Sequence, residues 1–328
     1  MTPLNYSTKA ADQFERGGNP TMPITAAAIR YIADKLRTAE KFLMPEGGRL
    51  LPSNKEKPEV PGLVFRPPFP VVALEYAMRP TDADQAITVY TSSCAPKRIA
   101  LAWDWQNDFP SCMRSPLIDA LGPGVCVMEI SWRSEANVWM PGLACLHIPY
   151  EGAWVATDDR PPFIQAMLDS GKIPPQLVRP GRNAYPHSIV PMMVEAIAVK
   201  AERQRSLSSA LDLIRSDTQD ELVSYIDLCY ALACKNVKLD KLAAPEKLNR
   251  ARAKSSRPPL ADYHVLVLDG AENGQAFGAG DRSGPRPHLR RGHIRRLNSA
   301  RITWVNSAMV RGKGTFVDKV YGFRNASA

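Results

Sequence analysis

Apolar residues recur at helical spacing near the beginning of the chain. The apolar positions lie three or four residues apart, and charged residues fall between them. These apolar positions are Ile24, Ala28, Ile32, Leu36, Ala39 and Leu43. This spacing predicts an amphipathic helix that begins after Pro23 and ends before Gly47. The polar segment before it, residues 1–22, predicts a flexible arm.

The pattern then changes to short runs rich in β-branched and aromatic residues, separated by Pro and Gly turn signals. Such runs predict the strands of a largely antiparallel sheet. They are Val71–Met78, Ala86–Thr91, Arg98–Trp103, Val125–Trp132, Val138–His147 and Trp154–Thr157.

Helical spacing returns in the second half of the chain. A helix is predicted over Ser188–Arg203, and Thr218 with Glu221 matches a capping box ahead of apolar positions that reach Val237. Residues 238–260 are basic and indicate a loop. Four further strands are predicted at Tyr263–Leu268, Leu289–Leu297, Arg301–Val310 and Thr315–Phe323.

These elements predict an α+β protein. Its sheet is expected to be mixed and largely antiparallel, with N-terminal and central helices and a small basic C-terminal β module. The expected division is the arm 1–22, a body 23–260 and the module 261–328. Proline-rich segments 45–70 and 161–186 interrupt the body, and a glycine-rich tether, 270–287, lies within the module.

The positive charge of the chain is concentrated at its end. Of a formal net charge of +9 over 328 residues, positions 282–328 carry eleven Lys or Arg and one acid, which is +10 and leaves −1 for positions 1–281. This asymmetry predicts a polyanionic partner such as RNA, or a protein engaged on it, the translating ribosome included.

The cysteines and the apolar runs indicate a cytoplasmic location. No C-x-x-C pair occurs among Cys94, Cys112, Cys126, Cys145, Cys229 and Cys234. We expect buried, reduced thiols. The first 20 residues lack the apolar stretch of a secretory leader, and no apolar run approaches the length of a membrane span. No cofactor, metal or membrane partner is expected.

The densest chemical feature is a cluster of arginines and histidines: Arg286, His288, Arg290, Arg291, His293, Arg295 and Arg296. Three hypotheses compete: RNA cleavage by His288 and His293, a metal site, and a basic recognition strand. In one regular strand the two histidines face opposite sides, and in a helix they are about 140° apart, so only a break at Gly292 brings them together. The recognition strand needs no such convergence and is favoured.

Other candidate residues carry weaker signals. Trp304 is either a platform for base stacking or a core residue. Asp104, Asp108 and Glu129 lie near strand ends, where they could serve a Mg²⁺-dependent nuclease or make ordinary turns. Cys145 and His147 share a strand face, and no phosphate loop, dinucleotide fingerprint or nucleophile elbow occurs. A non-enzymatic function is therefore favoured over catalysis.

The segment from Arg286 to His293, followed by a short sheet with a tryptophan, resembles the end of a type V-A anti-CRISPR family of phages and plasmids. The resemblance implies a regulator that recognises the N-terminal nascent peptide of a type V-A CRISPR effector in the bacterial host and lowers its mRNA and protein. Ile294 stands where that family has an aromatic residue, so a stacking role does not carry over to it. The alternatives are a mobile-element nucleic-acid-binding protein and a histidine-dependent RNase.

Overall fold

The fold was analysed in a computed structural model that describes residues 4–17, 21–51, 65–78, 95–105, 108–151, 169, 187–268, 288–290, 293–298, 301–305, 308–310 and 324–325. Its helices are α1 (Tyr6–Phe14), α2 (Pro23–Thr38), α3 (Pro116–Asp119), α4 (Val194–Gln204), α5 (Leu207–Asp217), α6 (Gln219–Leu232) and α7 (Glu246–Lys254). Its first seven strands are β1 (Glu40–Leu43), β2 (Val71–Ala77), β3 (Lys97–Asp104), β4 (Gly124–Arg133), β5 (Val138–Pro141), β6 (Ala144–Pro149) and β7 (Ser188–Pro191). The others are β8 (Val237–Leu242), β9 (Tyr263–Leu268), β10 (His288–Arg290), β11 (His293–Asn298), β12 (Arg301–Val305), β13 (Ala308–Val310) and β14 (Arg324–Asn325).

One large sheet organises the described residues. Its strands run in the order β14-β9-β1-β2-β3-β4-β6-β7, with β5 added to β4 and β8 added to β9. Strand β1 is parallel to β2 and β9, β14 is parallel to β9, and the other pairs are antiparallel. The predicted α+β class with a mixed, largely antiparallel sheet is therefore confirmed.

The sheet separates two hydrophobic cores because side chains alternate between its faces. In β3, Ile99, Leu101 and Trp103 pack in the core that contains α1 and α2. Ala100 and Ala102 pack in the opposite core against α6. The protein thus has three layers, with α6 buried on nearly all sides.

The predicted flexible arm is wrong, because residues 6–14 form α1 in the core. Ala10 and Ala11 are fully buried, and the buried Glu75 carboxylate accepts hydrogen bonds of 2.8 Å from the Tyr6 and Ser7 amides. The Tyr263 hydroxyl donates to the same carboxylate at 2.5 Å. A carboxylate at a helix N-terminus satisfies free amides and opposes the positive end of the helix dipole.

Several predicted boundaries also change. Helix α2, which the sequence predicted to end just before Gly47, ends at Thr38, because Ala39 is extended and the chain continues into β1. The region predicted as a helix from Ser188 starts as strand β7, and the region 238–260, predicted as a loop, contains β8 and α7. Strand β9 belongs to the main sheet, so the module does not begin at residue 261.

Three predicted long strands are each divided in two. Residues Val138–His147 form β5 and part of β6, Leu289–Leu297 is divided between β10 and β11, and Arg301–Val310 is divided between β12 and β13. The strands predicted at Ala86–Thr91, Trp154–Thr157 and Thr315–Phe323, and the tether 270–287, lie outside the described residues. Of the proline-rich segments, 52–64 and all of 161–186 except Asp169 also lie outside them.

A buried ion pair joins α6 to the sheet. Arg98 of β3 donates to both carboxylate oxygens of Glu221 at 2.6 and 2.8 Å, and both side chains are 0% exposed. The Tyr76 hydroxyl donates to Glu221 at 2.7 Å. The predicted capping box is therefore absent, since Glu221 faces the sheet and the Thr218 hydroxyl donates to the Ile214 carbonyl.

The cysteine prediction holds for four residues. Cys126, Cys145, Cys229 and Cys234 are buried free thiols, whereas Cys112 is exposed and corrects the prediction there. Burial raises the pKa of Cys234 to about 12. Cys94 lies outside the described residues. None of the described helices is both long and apolar enough to cross a membrane.

Candidate nucleic-acid interface

Strands β11 and β12 form a two-stranded antiparallel sheet that we name the basic ribbon, residues 293–298 and 301–305. Ile294 pairs with Trp304, and Arg295 pairs with Thr303. No Asp or Glu occurs between positions 293 and 305. The ribbon therefore has no internal carboxylate to neutralise its arginines.

The ribbon is attached to the body through one side of β12. Ile302 and Trp304 are 3% and 5% exposed, and they pack in the same core as α6. A short parallel bridge joins Cys234 to Ile302. Apolar burial thus holds the ribbon at the C-terminal end of α6.

Asn236 fixes the position of β12 by pairing with its backbone. Its side-chain oxygen accepts a hydrogen bond from the Trp304 amide at 2.8 Å, and its nitrogen donates to the Trp304 carbonyl at 2.8 Å. The Thr303 hydroxyl donates to the same Asn236 oxygen at 3.0 Å. The side-chain amide therefore satisfies both backbone groups of Trp304, as a neighbouring strand would.

Three arginines of the ribbon reach solvent; Arg295 lies on the face opposite Ile302, whereas Arg296 pairs with Ile302 and lies on the same face as it. Arg295, Arg296 and Arg301 are exposed, and Arg296 also donates to the Asn298 carbonyl at 3.3 Å. Guanidinium groups on a fixed strand pair suit the phosphates of a nucleic-acid backbone. The predicted binding residues Arg295 and Arg296 are therefore placed where a polyanion can reach them.

The stacking role considered for Trp304 is not supported by its position. A base can stack only on an accessible ring face. Trp304 is almost fully enclosed in the core with α6, so it anchors the ribbon instead.

The remaining members of the cluster are distributed over separate strands. His288 and Arg290 lie in β10, which pairs with β13, whereas His293 lies in β11 and pairs with Val305. The two histidines therefore share neither one regular strand nor one helix, and they belong to different two-stranded sheets. Arg286 and Arg291 lie outside the described residues.

The acidic residues proposed for metal catalysis do not come together. Glu129 lies opposite Ala100, four residues before Asp104 along β3, which is about 13 Å of strand. Asp104 accepts a hydrogen bond from Tyr150 at 2.5 Å, and Asp108 accepts from Tyr31 and Lys35. Burial opposes the effect, but these two hydrogen bonds lower the pKa of Asp108. No group of three possible metal ligands occurs among the described residues.

Cys145 and His147 also lack the setting of a catalytic pair. Cys145 is fully buried in the core with α1 and α2. His147 Nε2 lies 3.1 Å from the Gly122 carbonyl oxygen, and the ring contacts Trp105. Burial lowers the pKa of His147, partly opposed by the bond to Gly122. This histidine is thus a structural residue whose neutral form is favoured by burial.

His147 should make stability depend on pH. Its folded-state pKa is depressed, so the unfolded chain binds more protons, and the free energy of unfolding should fall as pH drops below about 6.5. Urea denaturation of the wild type and His147→Asn at pH 7.5 and 5.5 measures this. The wild type should exceed His147→Asn in free energy of unfolding by less at pH 5.5 than at pH 7.5. The same difference at both pH values would contradict the prediction.

No family model, curated protein or solved structure matches this chain. The resemblance of residues 286–293 to type V-A anti-CRISPR proteins therefore stays a prediction. The function proposed below is argued from the contacts of the basic ribbon.

Asn236 is the main residue of the candidate interface that the sequence did not reveal. It is a single asparagine that follows α6 and lies 68 residues from Trp304 along the chain. No local pattern distinguishes it from an ordinary loop residue. A signal was present only in the alternation of Ile302 and Trp304, which indicates that one side of β12 is covered.

Proposed function

We propose that this protein is a non-enzymatic regulator that contacts RNA through the basic ribbon and lowers the production of a type V-A CRISPR effector in the cytoplasm of a bacterial host. The observation that supports the RNA contact is the attachment of an acid-free arginine ribbon to a rigid body by buried Ile302 and Trp304. The resemblance of residues 286–293 supports the target.

The chemistry of the ribbon favours contact with phosphates over recognition of bases. Arginines that approach a nucleic-acid backbone position a protein without reading sequence. The ribbon's aromatic residue, Trp304, is enclosed in the core and offers no stacking surface. Target choice must then come from another recognition event, and the nascent N-terminal peptide of the effector would supply it.

Removing the ribbon arginines should weaken RNA binding and its salt dependence together. Each phosphate contact to single-stranded RNA contributes about 0.7 to the slope of log K against log salt. The variant R295Q/R296Q/R301Q should therefore reduce the magnitude of the slope by about 2. The change is measured by fluorescence anisotropy with a labelled single-stranded RNA at salt concentrations from about 50 to about 200 mM.

A matched variant distinguishes the ribbon from general surface charge. R114Q/R133Q/R203Q also removes three arginines, and none of them lies in the ribbon. It should keep the wild-type slope. Equal losses in the two triple variants would contradict a specific role for the ribbon.

Co-expression with a type V-A effector separates the proposed regulator from a general nucleic-acid-binding protein of a mobile element. The ribbon itself favours this second function, because its phosphate contacts are independent of sequence. A regulator should reduce effector protein and mRNA together, and recoding the effector's N-terminal codons to change the peptide should abolish both losses. Unchanged effector levels with intact RNA binding would favour the second function.

A further inference from the structure

A second basic surface lies between α1 and α7. A cavity of about 340 Å³ opens there to solvent. Nine residues line it: the cations Lys9, Arg252 and Arg257, the uncharged polar residues Asn5, Thr8 and Ser255, and the apolar residues Leu248, Ala251 and Leu260. The volume is at the low end of the range of about 300–1,000 Å³ for small-molecule sites.

The cavity has more positive than negative charge. Arg252 bonds to the Pro258 carbonyl at 2.5 Å and lies 3.4 Å from Asp12, so it is fixed in place. Lys9 donates a weak bond of 3.5 Å to the Leu4 carbonyl. Among the described residues, no carboxylate forms an ion pair with Lys9 or Arg257. Two cations therefore remain for an anionic ligand.

Helix α7 has no apolar face that would explain its place on the protein. None of its residues is buried, and Leu248 is 51% exposed. Asn249 holds it by pairing with both backbone groups of Leu260, at 2.7 and 3.1 Å. A helix this polar and exposed is usually stabilised by charge pairs or by a partner. Its one described internal charge pair joins Arg250 to Glu246.

The spacing of α7 places the cavity beside a row of cations. Positions 248, 251, 252 and 255 line the cavity, and Lys247, Arg250 and Lys254 form the adjoining face. From Lys235 to Arg257 the chain carries eight Lys or Arg and two acids, or +6. The net charge of −1 over positions 1–281 does not show this basic segment, because acidic residues elsewhere offset it.

We propose that the cavity between α1 and α7 binds a nucleoside monophosphate group, either free or at the 5′ end of an RNA strand. Lys9 and Arg257 would pair with the phosphate, and Leu248 and Leu260 would cover one face of the base. The RNA-end form rests on the proposed function and deepens it. It gives the regulator a second contact that selects strands by their terminal phosphate.

The combination of charge and shape favours a nucleotide over an acidic peptide. The cavity lining combines cations with the apolar Leu248 and Leu260, which suits a phosphate joined to a flat, partly apolar ring. The cations Lys247, Arg250 and Lys254 lie on the adjoining face of α7, where the phosphates of an RNA strand that ends in the cavity would find further positive charge.

Calorimetry with the full chain tests the site. The probes are AMP and two RNA oligonucleotides of the same sequence, one with a 5′ phosphate and one with a 5′ hydroxyl. Wild-type protein should bind the phosphorylated RNA about tenfold more tightly, the effect expected for charge-assisted bonds to one phosphate. K9Q/R257Q should bind both RNAs equally, and R114Q/R203Q should keep the preference.

Each outcome is decisive for one of the two proposals. Equal affinity of the wild type for both RNAs, with no binding of AMP, overturns the cavity proposal and leaves the ribbon proposal standing. A preference for the 5′ phosphate that persists in K9Q/R257Q also overturns it. Binding of AMP that K9Q/R257Q abolishes, without binding of either RNA, supports a mononucleotide site and overturns the RNA contact of the proposed function.

Discussion

Replacing Arg98 with alanine is expected to lower the free energy of unfolding by about 3–5 kcal/mol. The substitution leaves the Glu221 carboxylate without its bidentate partner at a position that is 0% exposed. Removing one member of a buried pair costs more than the pair contributes, because the remaining carboxylate must either stay unpaired in a desolvated site or take up a proton, and it loses the hydrogen bonds from its partner. Urea denaturation followed by circular dichroism measures the loss.

Two further variants identify the cause of that loss. Arg114→Ala breaks an exposed pair with Asp119 and should cost at most about 1 kcal/mol. The double variant R98M/E221Q removes both charges, keeps an acceptor for Tyr76, and should lose less than Arg98→Ala alone. A loss for Arg98→Ala no larger than that for Arg114→Ala would contradict the assignment.

The pH dependence of Arg98→Ala gives an independent check. Burial raises the pKa of Glu221 to about 8, against the attraction of Arg98, and removing Arg98 should raise it further. The folded chain then binds a proton that the unfolded chain releases above about pH 4.5. The stability of Arg98→Ala should therefore continue to fall as pH rises above about 8, where that of the wild type levels off.

Replacing Trp304 with alanine should detach the basic ribbon from the body. The substitution removes the largest buried side chain of β12 and is expected to cost about 3–5 kcal/mol where the ribbon contacts α6. Hydrogen exchange at the β12 amides should become much faster, and RNA affinity should fall to that of R295Q/R296Q/R301Q. The loss of affinity follows because unfixed arginines lose entropy when they bind.

Two substitutions serve as controls for Trp304→Ala. Asn236→Ala removes the side-chain pairing with Trp304 and should produce the same effects at smaller size, about 1–3 kcal/mol. Trp132→Ala removes an aromatic residue that contacts Trp139 and Lys97, away from the ribbon, and should leave RNA affinity unchanged. Wild-type exchange and RNA affinity in Trp304→Ala would contradict the anchoring role.

The sheet could be predicted from the sequence because its strands bury both faces. Runs such as 71–77 and 98–103 are apolar at nearly every position, which is what a strand between two helical layers requires. The exception in each run, Glu75 or Arg98, is explained only by a distant partner. Tyr6 and Glu221 lie 69 and 123 residues away from them along the chain.

Helices α1 and α7 could not be predicted for opposite reasons. Helix α1 buries Ser7 and Thr8 together with its apolar residues, so its sequence is as polar as that of a surface arm. Helix α7 buries nothing, so it has no apolar periodicity to detect. Local composition indicates that a segment is buried only when the buried side chains are apolar. The positions of α1 and α7 are determined instead by hydrogen bonds to residues distant in the sequence.

The candidate site was predicted in composition and not in arrangement. The arginines at 295 and 296 are exposed as expected, whereas Trp304 lies in the core. The contacts that decide this come from Cys234 and Asn236, in a segment that the sequence assigned to the end of a helix. The alternation of Ile302 and Trp304 indicates that one side of β12 is covered, but no pattern within residues 286–305 reveals that Cys234 and Asn236 make the contacts there.

The most direct test of the proposed function is the decay of a type V-A effector's mRNA in cells that co-express the wild type, R295Q/R296Q/R301Q or R114Q/R133Q/R203Q. Equal amounts of the three proteins must be verified by immunoblot. The proposed function predicts that the wild type and R114Q/R133Q/R203Q shorten the lifetime of the mRNA and reduce effector protein, and that R295Q/R296Q/R301Q does neither. An mRNA lifetime that is the same with all three proteins as with none would contradict it.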